Sequence, residues 1–216
     1  MIKKISIILI LTISASFLYA QEDSASGISF YAILGAKQVS IGSALHDSQV
    51  STPDLSTSLG AGSYWTKNRY IVGTEFFYSA GNKEKDRYKV QYTGFNTTLY
   101  AGYKIIHRAR FNVIPAVGLG IVTNKVLYAS ALEAAAAKDV SFNTSTPVIH
   151  TSVLFEKIAA NGITLGLKAG YNISTGGKKN WEFNGTEATS SIKDNPGGFF
   201  IQLTAGGLMS LKGKKQ

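Results

Sequence analysis

His150 and Ser152 stand two residues apart, so on an extended strand their side chains share one face. With Glu156 further along, that face holds the residue types of a nucleophile, its base and an orienting carboxylate, the set that performs acyl transfer. Strand geometry opposes this reading. Four residues at a rise of about 3.3 Å put Glu156 about 13 Å from the level of Ser152, too far to orient the imidazole. A second set fits better. Ala160-Asn161-Gly162 suits a tight hairpin with Gly162 in the left-handed region, which would place Lys168 diagonally across from Glu156 on the next strand. Glu75 and Lys104 are the other charges assigned to strand interiors. We expect these four to form a compensated polar network inside the fold, because an unpaired buried charge is costly.

Other motifs carry no chemistry. Gly118-Leu-Gly120 lacks the third glycine and the helix of a dinucleotide site, and Gly176-Gly-Lys-Lys179 lacks the upstream glycine and the hydroxyl residue of a phosphate loop. His46 and His107 have no partner at ligand spacing, and cysteine is absent, which removes disulfides and thiolate metal sites. No cofactor or metal is expected.

The elements that must position these residues have a period of two. Eight stretches alternate an apolar face with a small or polar one: Ile28–Ala36, Leu55–Trp65, Tyr70–Ser79, Tyr88–Lys104, Phe111–Val122, Thr146–Glu156, Ile163–Ile173 and Phe199–Leu211. In the fifth, Phe111, Val113, Pro115, Val117, Leu119 and Ile121 alternate with Asn112, Ala116, Gly118 and Gly120. The connections alternate too. Segments 37–54, 80–87, 123–145 and 174–198 are long; 66–69, 105–110 and 157–162 are short. Only Ala131–Lys138 reads as helix, and it is placed inside a loop. An even strand number with sorted loops is the pattern of a transmembrane barrel. A soluble barrel would expose its polar faces and carry many charges there, yet these faces hold mostly Gly, Ser and Thr. The expected fold is therefore all-β, an eight-stranded antiparallel up-and-down transmembrane β-barrel, with small residues filling its narrow interior.

The N-terminus agrees. Lys3 and Lys4 precede the apolar run Ile5–Leu18, which falls short of the ~20 residues a spanning helix needs but suits an export signal. Residues 1–20 are assigned to that signal and 21–216 to the barrel. With this signal, strand count and loop sorting, the chain resembles the small eight-stranded outer-membrane barrels, the group of the OmpA membrane domain, OmpX and OmpW-like proteins. The resemblance implies residence in the outer membrane of a Gram-negative cell, with membrane lipids and the outer-membrane insertion machinery as partners. Such chains often end on an aromatic residue; this one ends Leu211-Lys-Gly-Lys-Lys-Gln216. The His150–Ser152 pair also resembles the lipid A deacylase barrels, although Val153 follows the serine where that group has a polar residue.

The net charge of +9 can be placed on this topology. Acidic and basic residues roughly balance in the long loops. The surplus lies on the short turns and tail, at Lys67, Arg69, Lys104, Arg108, Arg110, Lys157, Lys212, Lys214 and Lys215, where it suits anionic headgroups of the inner leaflet. No basic surface is interleaved with stacking aromatics, so no nucleic-acid partner is expected. Trp65, Tyr70, Tyr103 and Phe111 gather at the inner ends of the strands, and Tyr78, Tyr171 and Phe199 near the outer ends. They read as two membrane-interface belts. The expected role is non-enzymatic, through the outer loops or as a structural wall element. A narrow porin or transporter for small solutes is the alternative, and a lipid A-modifying esterase a further one, favoured only if His150 and Ser152 face the lipid. What the outer loops bind is not written in the sequence.

Overall fold

A computed structural model describes residues 26–39, 54–85, 88–130, 140–175, 179–180, 182–183, 186–187, 193–194 and 197–211. The signal segment, the stretch Ala131–Lys138 and the tail beyond Leu211 lie outside the described residues. Eight wall strands are present: β1 Ser26–Gln38, β2 Leu55–Lys67, β3 Tyr70–Lys85, β4 Tyr88–Tyr103, β5 Phe111–Ser130, β6 Val140–Ile158, β7 Ile163–Ser174 and β8 Gly198–Leu211. Each pairs antiparallel with its neighbours in sequence, and β8 pairs with β1, so the sheet closes without an edge. This is an all-β, up-and-down, eight-stranded barrel.

The wall is strongly sheared. Register followed from Ser58 through Ser79 and Gly94 reaches Asn124 on β5. Followed the other way, through Gly35, Gln202, Lys168 and Leu154, it reaches Ile114, ten residues away on the same strand. The strands are tilted to match, as closure of eight strands demands.

Alternation along each strand sorts the side chains to two environments. The outer surface is a continuous apolar band: Phe30, Leu34, Leu59, Val72, Phe76, Leu99, Val117, Leu119, Leu165, Leu167, Ile201 and Leu203 all face outward, with Leu119 70% exposed. Monomeric soluble proteins rarely leave so large an apolar area bare; lipid is the medium that fits it. The described residues contain no helix able to cross a membrane, so the crossing is made by strands.

The inner surface is less uniform than small residues alone would make it. Tyr31, Ile33, Tyr64, Ile71, Tyr100, Ile114 and Leu154 pack together inside, beside Ala116, and Phe77 and Phe200 are also buried there. Glycines on neighbouring strands make the room. A Cβ on Gly62 would come within 2.5 Å of the Tyr31 ring, and one on Gly73 within 2.7 Å of the Tyr100 ring. The inward glycines thus hold large rings flat against the wall rather than leaving a bore.

Several boundaries differ from the sequence reading. The segments 80–87 and 123–145 are shorter as loops, because β3, β4, β5 and β6 keep their ladder up to Lys85, Tyr88, Ser130 and Val140. Alternation persists there, with Val90, Tyr92 and Val126 buried inward, and Lys89 is 3.2 Å from Glu84 across the hairpin. Beyond them, Glu182–Phe183 pairs with Asn143 and Phe142 of β6 and with Thr186–Glu187, and Lys179–Asn180 pairs with Lys193–Asp194. At the inner end, 105–110 is a short ribbon rather than a plain turn: Ile106–Arg108 pairs with 111–113. Between the pairs Gly102–Ala116 and Ile106–Val113 the first strand holds one residue more than its partner, a β-bulge beside Lys104. The hairpin at 159–162 turns on Gly162 (φ 83°), and Asn68 (φ 54°) turns the one between β2 and β3, both in the left-handed region that these residue types tolerate.

Candidate functional site

The lumen is the candidate site, and its chemistry comes in stacked layers. At the inner end Glu156 accepts hydrogen bonds from Tyr64 Oη (2.6 Å) and Asn112 Nδ2 (2.9 Å). Asn112 Oδ1 in turn lies 2.8 Å from His107 Nδ1. Lys104 is buried close enough to Glu156 for mutual attraction. Alternation with Tyr100 and Gly102 carries it inward, so it is removed from the basic rim to which its place in a short turn had assigned it; Lys67, Arg69, Arg108, Arg110 and Lys157 remain exposed there.

The next layer is centred on Glu75, which is fully buried. Lys168 Nζ donates to its Oε2, reaching from β7 to β3, half-way around the wall. Tyr31 Oη also donates to Oε2 (3.3 Å) and accepts from Tyr100 Oη (2.8 Å). The Lys168 ammonium lies 4.7 Å from the centre of the Tyr100 ring, a cation–π contact that adds to its compensation. Lys168 therefore pairs with Glu75, and not with Glu156 as the hairpin diagonal had led us to expect. The diagonal itself is present, since Glu156 stands opposite Gly166 and Lys168 opposite Leu154. The long lysine side chain leans across the lumen instead, while Tyr64 and Asn112 occupy the Glu156 oxygens. The four charged residues thus sit in two neighbouring layers, bridged by Tyr31 and Tyr64, whose ring centres are 6.2 Å apart.

Above Glu75 lies an aromatic layer. His150 stacks on Phe200 at 5.1 Å, Phe200 lies 6.0 Å from Phe77, and Tyr100 is 6.5 Å from His150. His150 Nε2 is 3.1 Å from Ser152 Oγ, and Nδ1 is 3.0 Å from Asn172 Oδ1. That is the distance of a base from a nucleophile, with an amide in the orienting place. Glu75, whose Oε1 is 3.7 Å from Nε2, is the carboxylate near the histidine; Glu156 is not. Both His150 (0% exposed) and Ser152 (6%) face the lumen, with the barrel wall between them and any acyl chain. The arrangement can polarise the serine, but it cannot present it to lipid.

The outward aromatics sit in two bands. Trp65, Tyr103 and Phe111 are exposed near the inner turns, with Tyr70 half-buried and its ring centre 5.1 Å from that of Tyr103. Near the outer ends Tyr78 is in register with Phe95, and Tyr171 with Phe199.

Sequence reasoning missed the inward aromatics, Asn112, Asn172 and Lys37. Tyr31 hides in the run Phe30–Leu34, where apolar residues occupy both faces. Lys37 stood at the start of a segment taken for loop; it extends β1 and is buried on the inward face.

No family model matches the chain, and no curated protein does either. Solved structures do. A major outer membrane protein from Thermus thermophilus matches at 10% identity with a TM-score of 0.58, over 87% of this chain and 100% of that one. The outer membrane protein OprG from Pseudomonas aeruginosa matches at 11% and 0.52, over 87% and 97%. Ail, the attachment invasion locus protein of Yersinia pestis, matches at 10% and 0.50, over 87% and 99%. At such identities the likeness is one of fold. The chain has the architecture of the small outer-membrane barrels, its lipid-facing band requires a bilayer, and it is an outer-membrane β-barrel protein.

Proposed function

We propose that this protein is a non-enzymatic, non-conducting barrel that acts through the segments at its outer end or as an element of the membrane wall. The observation that carries this reading is the continuity of the side-chain filling. Tyr64, Asn112 and Glu156 form one layer, Tyr31, Tyr100, Glu75 and Lys168 the next, and Phe77, His150 and Phe200 a third. Glu75 takes the Lys168 ammonium and the Tyr31 hydroxyl, and Glu156 the Tyr64 hydroxyl and the Asn112 amide, so opening a bore would break this buried network at a cost. A narrow porin needs the opposite, a polar path that stays hydrated. The exposed basic residues on the inner turns fit contacts with anionic lipid headgroups. The outer-membrane insertion machinery is the partner its assembly requires.

The test is single-channel recording of the purified, refolded chain in planar bilayers. Silence, or only rare small events, is expected. Regular large steps abolished by blocking the lumen would overturn the reading in favour of a porin.

A further inference from the structure

We propose that the outer half of the lumen binds a small inorganic anion, held by Lys37 Nζ with the side-chain amides of Asn96 and Asn124. This goes beyond the occlusion reading and stands independently of it. The starting point is the charge balance of the described lumen. Glu75 is paired with Lys168, and the opposite charges of Lys104 and Glu156 are both buried at the inner end. Lys37 is left over. It is 1% exposed, and among the described residues its ammonium has neither a hydrogen-bond partner nor an ion pair. An isolated ammonium in such a place is strongly disfavoured, so the site calls for a negative charge that the described residues do not supply.

The neighbourhood is built for one. Lys37 is in register with Phe200 on one side and Ser56 on the other. Spreading the ten-residue displacement evenly around the wall puts it level with Ser58, Ser79, Asn96 and Asn172, one inward pleat above the Phe77–Phe200–His150 layer. Asn124 stands one pleat higher, on the opposite wall. The amides there are committed as acceptors: Asn96 Oδ1 takes a bond from Asn172 Nδ2 (3.2 Å), and Asn124 Oδ1 takes one from Tyr92 Oη (2.7 Å). Their Nδ2 atoms are buried and unpartnered, as is Lys37 Nζ. What remains unsatisfied at this level is a set of nitrogen donors with a cation, together with the hydroxyls of Thr146 and Ser174, which can donate as well; donors gathered with a cation are the chemistry of an anion site. The aromatic layer beneath separates it from Glu75, which would otherwise compete for the lysine.

The test uses the full chain refolded in detergent micelles. Adding inorganic phosphate, against a bulky sulfonate buffer at matched ionic strength, should raise the unfolding midpoint of the unchanged protein by about 3–6 °C at a tenfold excess over Kd. The Lys37→Met variant should show no such rise, and in anion-free buffer should be no less stable than the parent. Crystals soaked in bromide should give an anomalous peak in contact with Lys37 Nζ, a measurement that needs no variant to fold. Equal phosphate dependence in parent and variant, no dependence in either, or a bromide map without that peak would overturn the proposal. None of these outcomes bears on conductance, so the occlusion reading is tested separately.

Discussion

Replacing Lys168 by Met probes the centre of the lumen most directly. Methionine keeps the length and apolar stem of the lysine but removes the charge that meets Glu75. Glu75 is 0% exposed and Lys168 2%, so water cannot take over. The carboxylate would keep only the Tyr31 hydroxyl at 3.3 Å and the His150 ring, whose Nε2 is 3.7 Å from Oε1. Breaking a buried pair from one side costs about 3–5 kcal/mol, because the other charge is left uncompensated. Removing both charges is far milder, so Glu75→Gln in the Lys168→Met background should recover about 2 kcal/mol or more of that loss. Urea unfolding in micelles, followed by tryptophan fluorescence, to which Trp65 on the lipid-facing surface contributes, gives the four corners of the cycle. The denaturant slope should stay constant, since the surface buried is unchanged. If the double variant loses the sum of the two single losses, the residues are not coupled and the pairing across the lumen is wrong.

Three further changes address other layers of the same argument. Gly62→Val places a branched side chain where a Cβ would already come within 2.5 Å of the Tyr31 ring; it should cost about 1–3 kcal/mol, and Tyr31→Leu should relieve it in a refolding titration. Leu119→Arg on the lipid face should cost about 2–4 kcal/mol if that position lies near the bilayer midplane, read as lost folding into vesicles; no loss would place Leu119 outside the hydrocarbon. Ser152→Ala should leave lipid A acylation in outer membranes unchanged, since Ser152 faces the lumen; an altered acylation pattern would reinstate the esterase reading.

The facing of nearly every wall residue was legible in the sequence because lipid on one side and a narrow lumen on the other impose the same two-residue period. Leu165 and Leu167 face out, Thr164 and Lys168 in, as their alternation implies. The signal is weakest where both faces are apolar: Phe30 and Leu34 face out as the alternation implies, but Tyr31 and Ile33 between them are buried inside, where the sequence led us to expect small or polar residues. The partner of Lys168 was hidden for a different reason. Sequence spacing reports neighbours across one hairpin, whereas β3 and β7 meet through the lumen at a height fixed by the shear of all eight strands. Val113 shows a third limit. Its alternation places it on the lipid face, yet it is buried, opposite Ile106 where the bulged ribbon folds back.

The closed, sheared wall constrains how this chain can change. A sheet with edges can absorb a one-residue insertion by letting an outer strand slip, but here every strand has two neighbours and β8 returns to β1. One added residue between the aromatic bands would turn everything beyond it inside out, sending lumen charges into lipid. The bulge beside Lys104 is such an insertion, and it sits below the inner band, where the reversal reaches only the ribbon at the membrane's edge. Length variation should therefore collect in the hairpins above the outer band and in that single inner ribbon, while the spans between the bands vary only by exchange of one side chain for another.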